Sequence, residues 1–241
     1  MKNTSFWAST VIIIVVALGA LFFLTGGTGT PNGDGSTALA TPVTDKDHIV
    51  GSIDAPVVLV AYEDFQCSAC ALFYPMVKQM EKDFGEDLAF VFRNYPLQTL
   101  HPNGYISSQA AEAAGLQGKF WEMHDMLYEN QTTWGPMSKD DAKKTFETFA
   151  QALNLDIEKF NDDLESDQVK DLVLEDIEGA TADLKNRPRT PTLYLNGELL
   201  SFNTFEEAVE AVRIAVENSK INPSSQVLPL GTSEPQNTDA E

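Results

Sequence analysis

Val57-Val58-Leu59-Val60-Ala61-Tyr62-Glu63-Asp64-Phe65-Gln66-Cys67-Ser68-Ala69-Cys70 is the stretch that decides the fold. Its first six residues are apolar and β-rich, and a helical pattern begins near Ala69. The CxxC at the junction holds the only two cysteines of the 241 residues. A cysteine at a helix N-terminus meets unpaired N–H groups and the positive end of the helix dipole, and both favour an anion. Cys67 is therefore expected to be the attacking thiolate, with a lowered pKa. Cys70, one turn later inside the helix, is expected to resolve, and lies close enough to bridge. A plain structural disulfide and half of a zinc site are the bland readings of the same motif. Zinc needs two further ligands, and His48, His101 and His124 do not pair at ligand spacing. No metal is expected.

The flanking pattern places this motif. Downstream, Phe73, Met76, Val77, Met80 and Phe84 recur at helical spacing, Pro75 predicts a kink and Gly85 an end. Leu88-Ala89-Phe90-Val91-Phe92 is apolar throughout, a strand buried on both faces. Two such strands joined by a helix form a right-handed βαβ unit. His48-Ile49-Val50 is a short edge strand ahead of it. From about 104 to 186 the pattern is helical, with stripes such as Phe120, Met123, His124, Leu127 and Tyr128 that read as core. Thr192–Leu195 and Glu198–Leu200 flank Asn196-Gly197, a two-residue hairpin turn. Thr204 with Glu207 is a capping box for a last helix that buries Phe205, Ala208, Val209, Val212 and Val216. This order predicts an α/β fold, a thioredoxin-like core with a helical insertion over about 102–187.

Over roughly residues 46–220 the chain resembles the DsbA-like branch of the thioredoxin superfamily in its membrane-anchored form. The resemblance rests on Asp54-Ala55-Pro56, Asp64-Phe65-Gln66-Cys67, Cys70, Pro75, Tyr95-Pro96-Leu97 through His101-Pro102, Phe120-Trp121-Glu122-Met123-His124, and Thr190-Pro191-Thr192 with Asn196-Gly197. It implies a cis Pro191 packed opposite the cysteines, with the backbone of Thr190 free to pair with a substrate peptide as an added strand. It also implies an extracytoplasmic thiol–disulfide oxidoreductase without a prosthetic group. Its partners would be exported proteins with thiols and a membrane protein that recycles the cysteine pair.

Two positions depart from the family. Where relatives carry a buried acid six residues before the first cysteine, this chain has Ala61. Glu63 shares the strand parity of Ala61 and is the substitute for proton relay, against the bland reading of an exposed carboxylate. Before Thr190-Pro191, Arg189 stands where Gly is common. It either tunes the thiolate or points to solvent. Ser68 and Ala69 match neither strong oxidants nor reductants of the family, and Ser68 is read as a thiolate partner or a helix cap. A disulfide reductase or isomerase is the alternative within the same fold. A membrane-tethered Cu(I) carrier using the CxxC is the alternative outside it.

Composition bounds the rest. With 36 acidic and 16 basic residues the net charge is −20, which argues against nucleic acid and against anionic membrane surfaces. Phe6 to Leu24 is almost unbroken apolar sequence, about 28 Å long as a helix, enough to cross a bilayer core. Lys2 marks residues 1–5 as a short cytoplasmic end, which makes 6–24 a single-pass anchor at the cell membrane with the domain outside. A cleaved signal peptide is the rival reading. Residues 25–45 read as a flexible linker, 46–221 as the domain and 222–241 as a disordered acidic tail.

Overall fold

The computed structural model describes residues 38–184 and 188–222. The expected cytoplasmic end, the anchor at 6–24, the linker up to residue 37, the last residues of the insertion (185–187) and nearly all of the expected tail lie outside them. Among the described residues no helix is long and apolar enough to cross a membrane.

Five strands form one sheet in the order β1-β3-β2-β4-β5. They are β1 (His48–Val50), β2 (Val57–Glu63), β3 (Leu88–Asn94), β4 (Thr192–Leu195) and β5 (Glu198–Leu199). β2 and β3 run parallel, with Leu59 beside Phe90 and Glu63 beside Asn94. β1 and β4 flank them antiparallel. Every residue of β2 and β3 is buried, as their apolar run demands of central strands. Alternation splits β2 between two cores. Val57, Leu59 and Ala61 join Phe73, Val77, Met80, Val212 and Val216, while Val58, Val60 and Tyr62 join Ala180 and Leu184.

The crossover helix α1 (Ser68–Phe84) runs unbroken through Pro75 and ends at Gly85, where φ is +51°. The insertion comprises α2 (Gly104–Gly115), α3 (Phe120–Glu129), α4 (Gln131–Trp134), α5 (Lys139–Ala152), α6 (Ile157–Leu164) and α7 (Asp167–Leu184). The alanine-rich α2 sits at its centre and packs against α3, α5, α6 and α7. Ser138 and Asp156 cap α5 and α6, accepting from the N–H groups of Asp141 and Lys159. The turn between β4 and β5 has Asn196 and Gly197 both at positive φ, the geometry that Asn-Gly tolerates. The last helix, α8 (Phe205–Ile221), is capped by Thr204, and the Glu207 carboxylate reaches back to accept from the N–H of Asn203.

The linker expected through residue 45 ends earlier, because residues 38–45 are packed on the domain. The N–H of Leu39 donates to the carbonyl of Gly197. Asp183 Oδ1 accepts from the N–H groups of Ala40 and Thr41, and its Oδ2 from the Tyr62 hydroxyl. Arg93 uses all five guanidinium donors around this strap: two on its Thr41 and Pro42 carbonyls, two on the carboxylate of Asp47 just beyond it, and one on the Tyr62 hydroxyl of β2. The Gly, Thr and Pro content of 25–45 suggests a linker, yet the backbone polar groups of its last residues are what the buried Arg93 and Asp183 need.

Asp183→Ala strips acceptors from three donors at once and is expected to cost about 2–4 kcal/mol. Urea unfolding reads this as a lower midpoint at unchanged m, whereas Lys144→Ala on the exposed face of α5 stays within about 0.5 kcal/mol.

Candidate active site

The CxxC lies at the carboxyl end of β2, where a short turn feeds α1. Asp64 builds that turn. Its Oδ1 accepts from the Gln66 N–H at 2.8 Å, and its carbonyl accepts from the Cys67 N–H at 2.9 Å. Its Oδ2 accepts from the Leu97 N–H at 2.7 Å and lies 2.7 Å from His101 Nδ1. Gly104 leaves room for it, since a Cβ there would stand 2.8 Å from Asp64 Oδ1.

Two glutamines tie the turn to the insertion. The Gln131 amide donates to the carbonyls of Phe65 and Cys67, at 2.7 and 2.9 Å. The Gln66 side chain donates to the carbonyl of Gly135 and accepts from the Asn103 N–H.

Cys67 is the N-cap of α1, in extended backbone geometry. It is 8% exposed, and Cys70 is fully buried; both are free thiols. Ser68 is exposed and Ala69 half-buried, and the cap position belongs to Cys67 itself, so Ser68 is not the helix cap. The Cys67 thiol is brought down to about 5. The Cys70 thiol donating to its sulfur contributes most; burial opposes, and Thr190 and the N–H groups of Cys70 and Ala69 lower it further. Burial first, then the paired Cys67 sulfur and the Glu63 charge, push Cys70 well up. The pair is therefore asymmetric: Cys67 gives up its proton readily, and the sealed Cys70 holds its own.

The Thr190–Pro191 peptide is cis, and the Thr190 carbonyl lies 3.3 Å from Cys67 Sγ, accepting from the thiol. Thr190 is half-buried and Pro191 buried. Arg189 is exposed; the Thr192 hydroxyl donates to its carbonyl, and its charge is not among the main influences on Cys67. It belongs with the solvent reading.

Glu63 is 2% exposed, which removes the reading of a solvent-facing carboxylate. The Tyr128 hydroxyl donates to its Oε2 at 2.6 Å, and its Oε1 is buried without a hydrogen-bond partner. Burial pushes Glu63 up to about 8, against the Tyr128 bond and with help from the charge on Cys67. The acid is thus coupled by charge to both cysteines. Tyr128 and Gln131 are the site residues that sequence reasoning missed. Tyr128 sits on an apolar helical stripe and reads as core; the clue was its hydroxyl, which needs a partner once buried. Gln131 left no signal, because its partners are backbone carbonyls distant in sequence.

A family model described as Thioredoxin matches residues 43–213. The chain is 37% identical over 182 residues to the Na(+)/H(+) antiporter NhaA 1 of Mycolicibacterium vanbaalenii, covering 74% of this chain and 28% of that protein. The corresponding protein of Salinispora arenicola is 36% identical over 193 residues, covering 79% and 28%. The chain thus spans under a third of the length of these relatives. Among solved structures it is similar to oxidised BdbD from Bacillus subtilis, with a TM-score of 0.64 at 21% identity over 76% of this chain and 99% of the other. α-DsbA1 from Wolbachia pipientis gives 0.63 at 18% identity, over 76% and 96%. A family model spanning most of the chain and a fold shared with these structures lead to one assignment: the chain belongs to the thioredoxin family, and its thioredoxin-like core carries a helical insertion.

Proposed function

We propose that this protein is an extracytoplasmic thiol–disulfide oxidoreductase that oxidises exported proteins through Cys67 and Cys70. The observation that carries the reading is the Cys67 sulfur at the N-cap of a helix, 3.3 Å from the carbonyl of Thr190 before the cis Pro191 and backed by a sealed Cys70. In the oxidative direction a substrate thiolate attacks Cys67 of the Cys67–Cys70 disulfide. That bond breaks, and its electron pair goes to Cys70, which takes up a proton. The second substrate thiol then loses its proton, attacks the substrate sulfur of the mixed disulfide and expels Cys67 as a thiolate. The low Cys67 pKa makes it a good leaving group and stabilises the reduced protein, so disulfides flow outward. Thr190 pairs with the substrate backbone as an added strand beside the reacting sulfur. A membrane partner re-oxidises the pair, and the apolar segment 6–24 tethers the domain near it. A Cu(I) carrier fits less well, because a carried ion is handed on and Cys70 is sealed from solvent.

The reduction potential in a glutathione buffer tests the direction. A value near about −120 mV is expected of a disulfide donor, and one near about −270 mV would make the protein a reductase instead. Cys67→Ser abolishes exchange, while Cys70→Ser accumulates mixed disulfides visible on non-reducing gels; exchange that survives Cys67→Ser would overturn the assignment.

The low thiol pKa also sets a pH dependence. In the folded dithiol form Cys67 titrates at about 5, against 9.0 for an ordinary thiol, so between these values the unfolded chain binds more protons. Its stabilisation is complete above about 9 and is lost as pH falls through about 5. The oxidised form has no thiol to titrate. The stability of the reduced form relative to the oxidised one is therefore expected to rise from pH 5 to 9 in paired denaturant titrations; a flat difference would contradict the thiolate assignment.

A further inference from the structure

We propose that Tyr128, on the helical insertion, is a positioning residue that governs proton exchange at Cys70 through Glu63. This rests on the thiol–disulfide reading of the CxxC. The family position for a buried acid holds Ala61, which is fully buried and cannot take a proton. Glu63 lies one step further along the same face of β2, the face that packs with Cys70. One of its oxygens is committed to the Tyr128 hydroxyl at 2.6 Å; the other, Oε1, is buried without a partner. An unpaired buried carboxyl oxygen is costly unless it serves a transient donor, and the buried thiol on the same face that feels the Glu63 charge is Cys70.

The step balances as follows. A disulfide reagent accepts the Cys67 thiolate, its own S–S bond breaks, and one thiolate leaves. Cys70 then gives its proton to Glu63 Oε1 and attacks Cys67 Sγ. The Cys67–reagent bond breaks, a second thiolate leaves, and the Cys67–Cys70 disulfide forms. Glu63 keeps the proton until solvent removes it. The reverse path returns that proton to Cys70 when its sulfur departs. Tyr128 donates to the ionised acid, so its hydroxyl favours Glu63 as the base of the forward step.

The other titratable groups around this pair are few. Cys67 and Cys70 face Glu63 from α1, and Asp64 follows it on the active-site turn. His124 packs edge-on to the Tyr128 ring at 5.0 Å, is fully enclosed, and is held below its usual range by burial. Tyr74 stacks on Tyr128 at 5.4 Å and sends its own hydroxyl to Glu129, away from Glu63.

The test is the reaction of the full-length reduced protein with Ellman's reagent, which releases one thionitrobenzoate per step. The first release reports Cys67 and the second Cys70. In Tyr128→Phe the first release keeps its rate, while the second slows up to about tenfold at pH 7 and its pH midpoint rises by about one pH unit, the loss of one hydrogen bond to a charged group. Glu63→Gln removes that midpoint, and Tyr128→Phe added to it changes nothing further. The proposal falls if the second-release midpoint of Tyr128→Phe matches that of the unchanged protein, if both releases slow equally, or if the two substitutions act independently. A protein without a fast, Cys67-dependent first release would instead bring down the oxidoreductase reading itself.

Discussion

The Asp64 side chain is the tie on which the arrangement depends. A fully buried carboxyl group survives only if its oxygens are satisfied, and Asp64 draws its donors from two parts of the chain. Gln66 supplies one from the active-site turn, and Leu97 supplies another from the segment that enters the insertion. His101 closes the set from the same segment. One side chain thereby shapes the turn that presents Cys67 and anchors the insertion against the core. Gly104 belongs to the same solution, since any side chain there would strike Asp64.

The insertion is therefore part of the site rather than an appendage. Gln131 fixes the carbonyls before α1, and Tyr128 reaches the acid under the cysteines. A second polar seam joins it to the sheet. Asn94, at the end of β3, donates to both Glu112 of α2 and Asp176 of α7, and His48 meets Glu112 while stacking on Phe120 at 3.3 Å. Pairing of this kind makes charged groups tolerable inside a domain and fixes relative orientation at the same time.

Around the cysteines, electrostatic asymmetry comes from position on the helix. Cys67 precedes the first turn, where N–H groups converge, and Cys70 lies within it, among apolar side chains. The same three-residue step that allows a bridge also separates a stabilised anion from a sealed thiol. Burial beneath them, and then the charge on Cys67, make the Glu63 carboxyl group proton-hungry, and burial likewise keeps Cys70 protonated.

Much of this was legible in the chain itself. The apolar, β-rich run Val57–Tyr62, the 3.6-residue stripe after Cys70 and the Asn196-Gly197 turn marked strand, helix and hairpin, because local sterics and burial periodicity are written residue by residue. The place of the two cysteines at the start of a helix was legible for the same reason. What the sequence could not carry was pairing between distant polar groups. The burial of Glu63 against Tyr128, the grip of Gln131 on the active-site turn and the packing of residues 38–45 beneath Arg93 and Asp183 each join segments 30 or more residues apart. A polar side chain looks the same in sequence whether it faces water or a buried partner, and only the tertiary structure decides which, by bringing the partner within hydrogen-bonding distance.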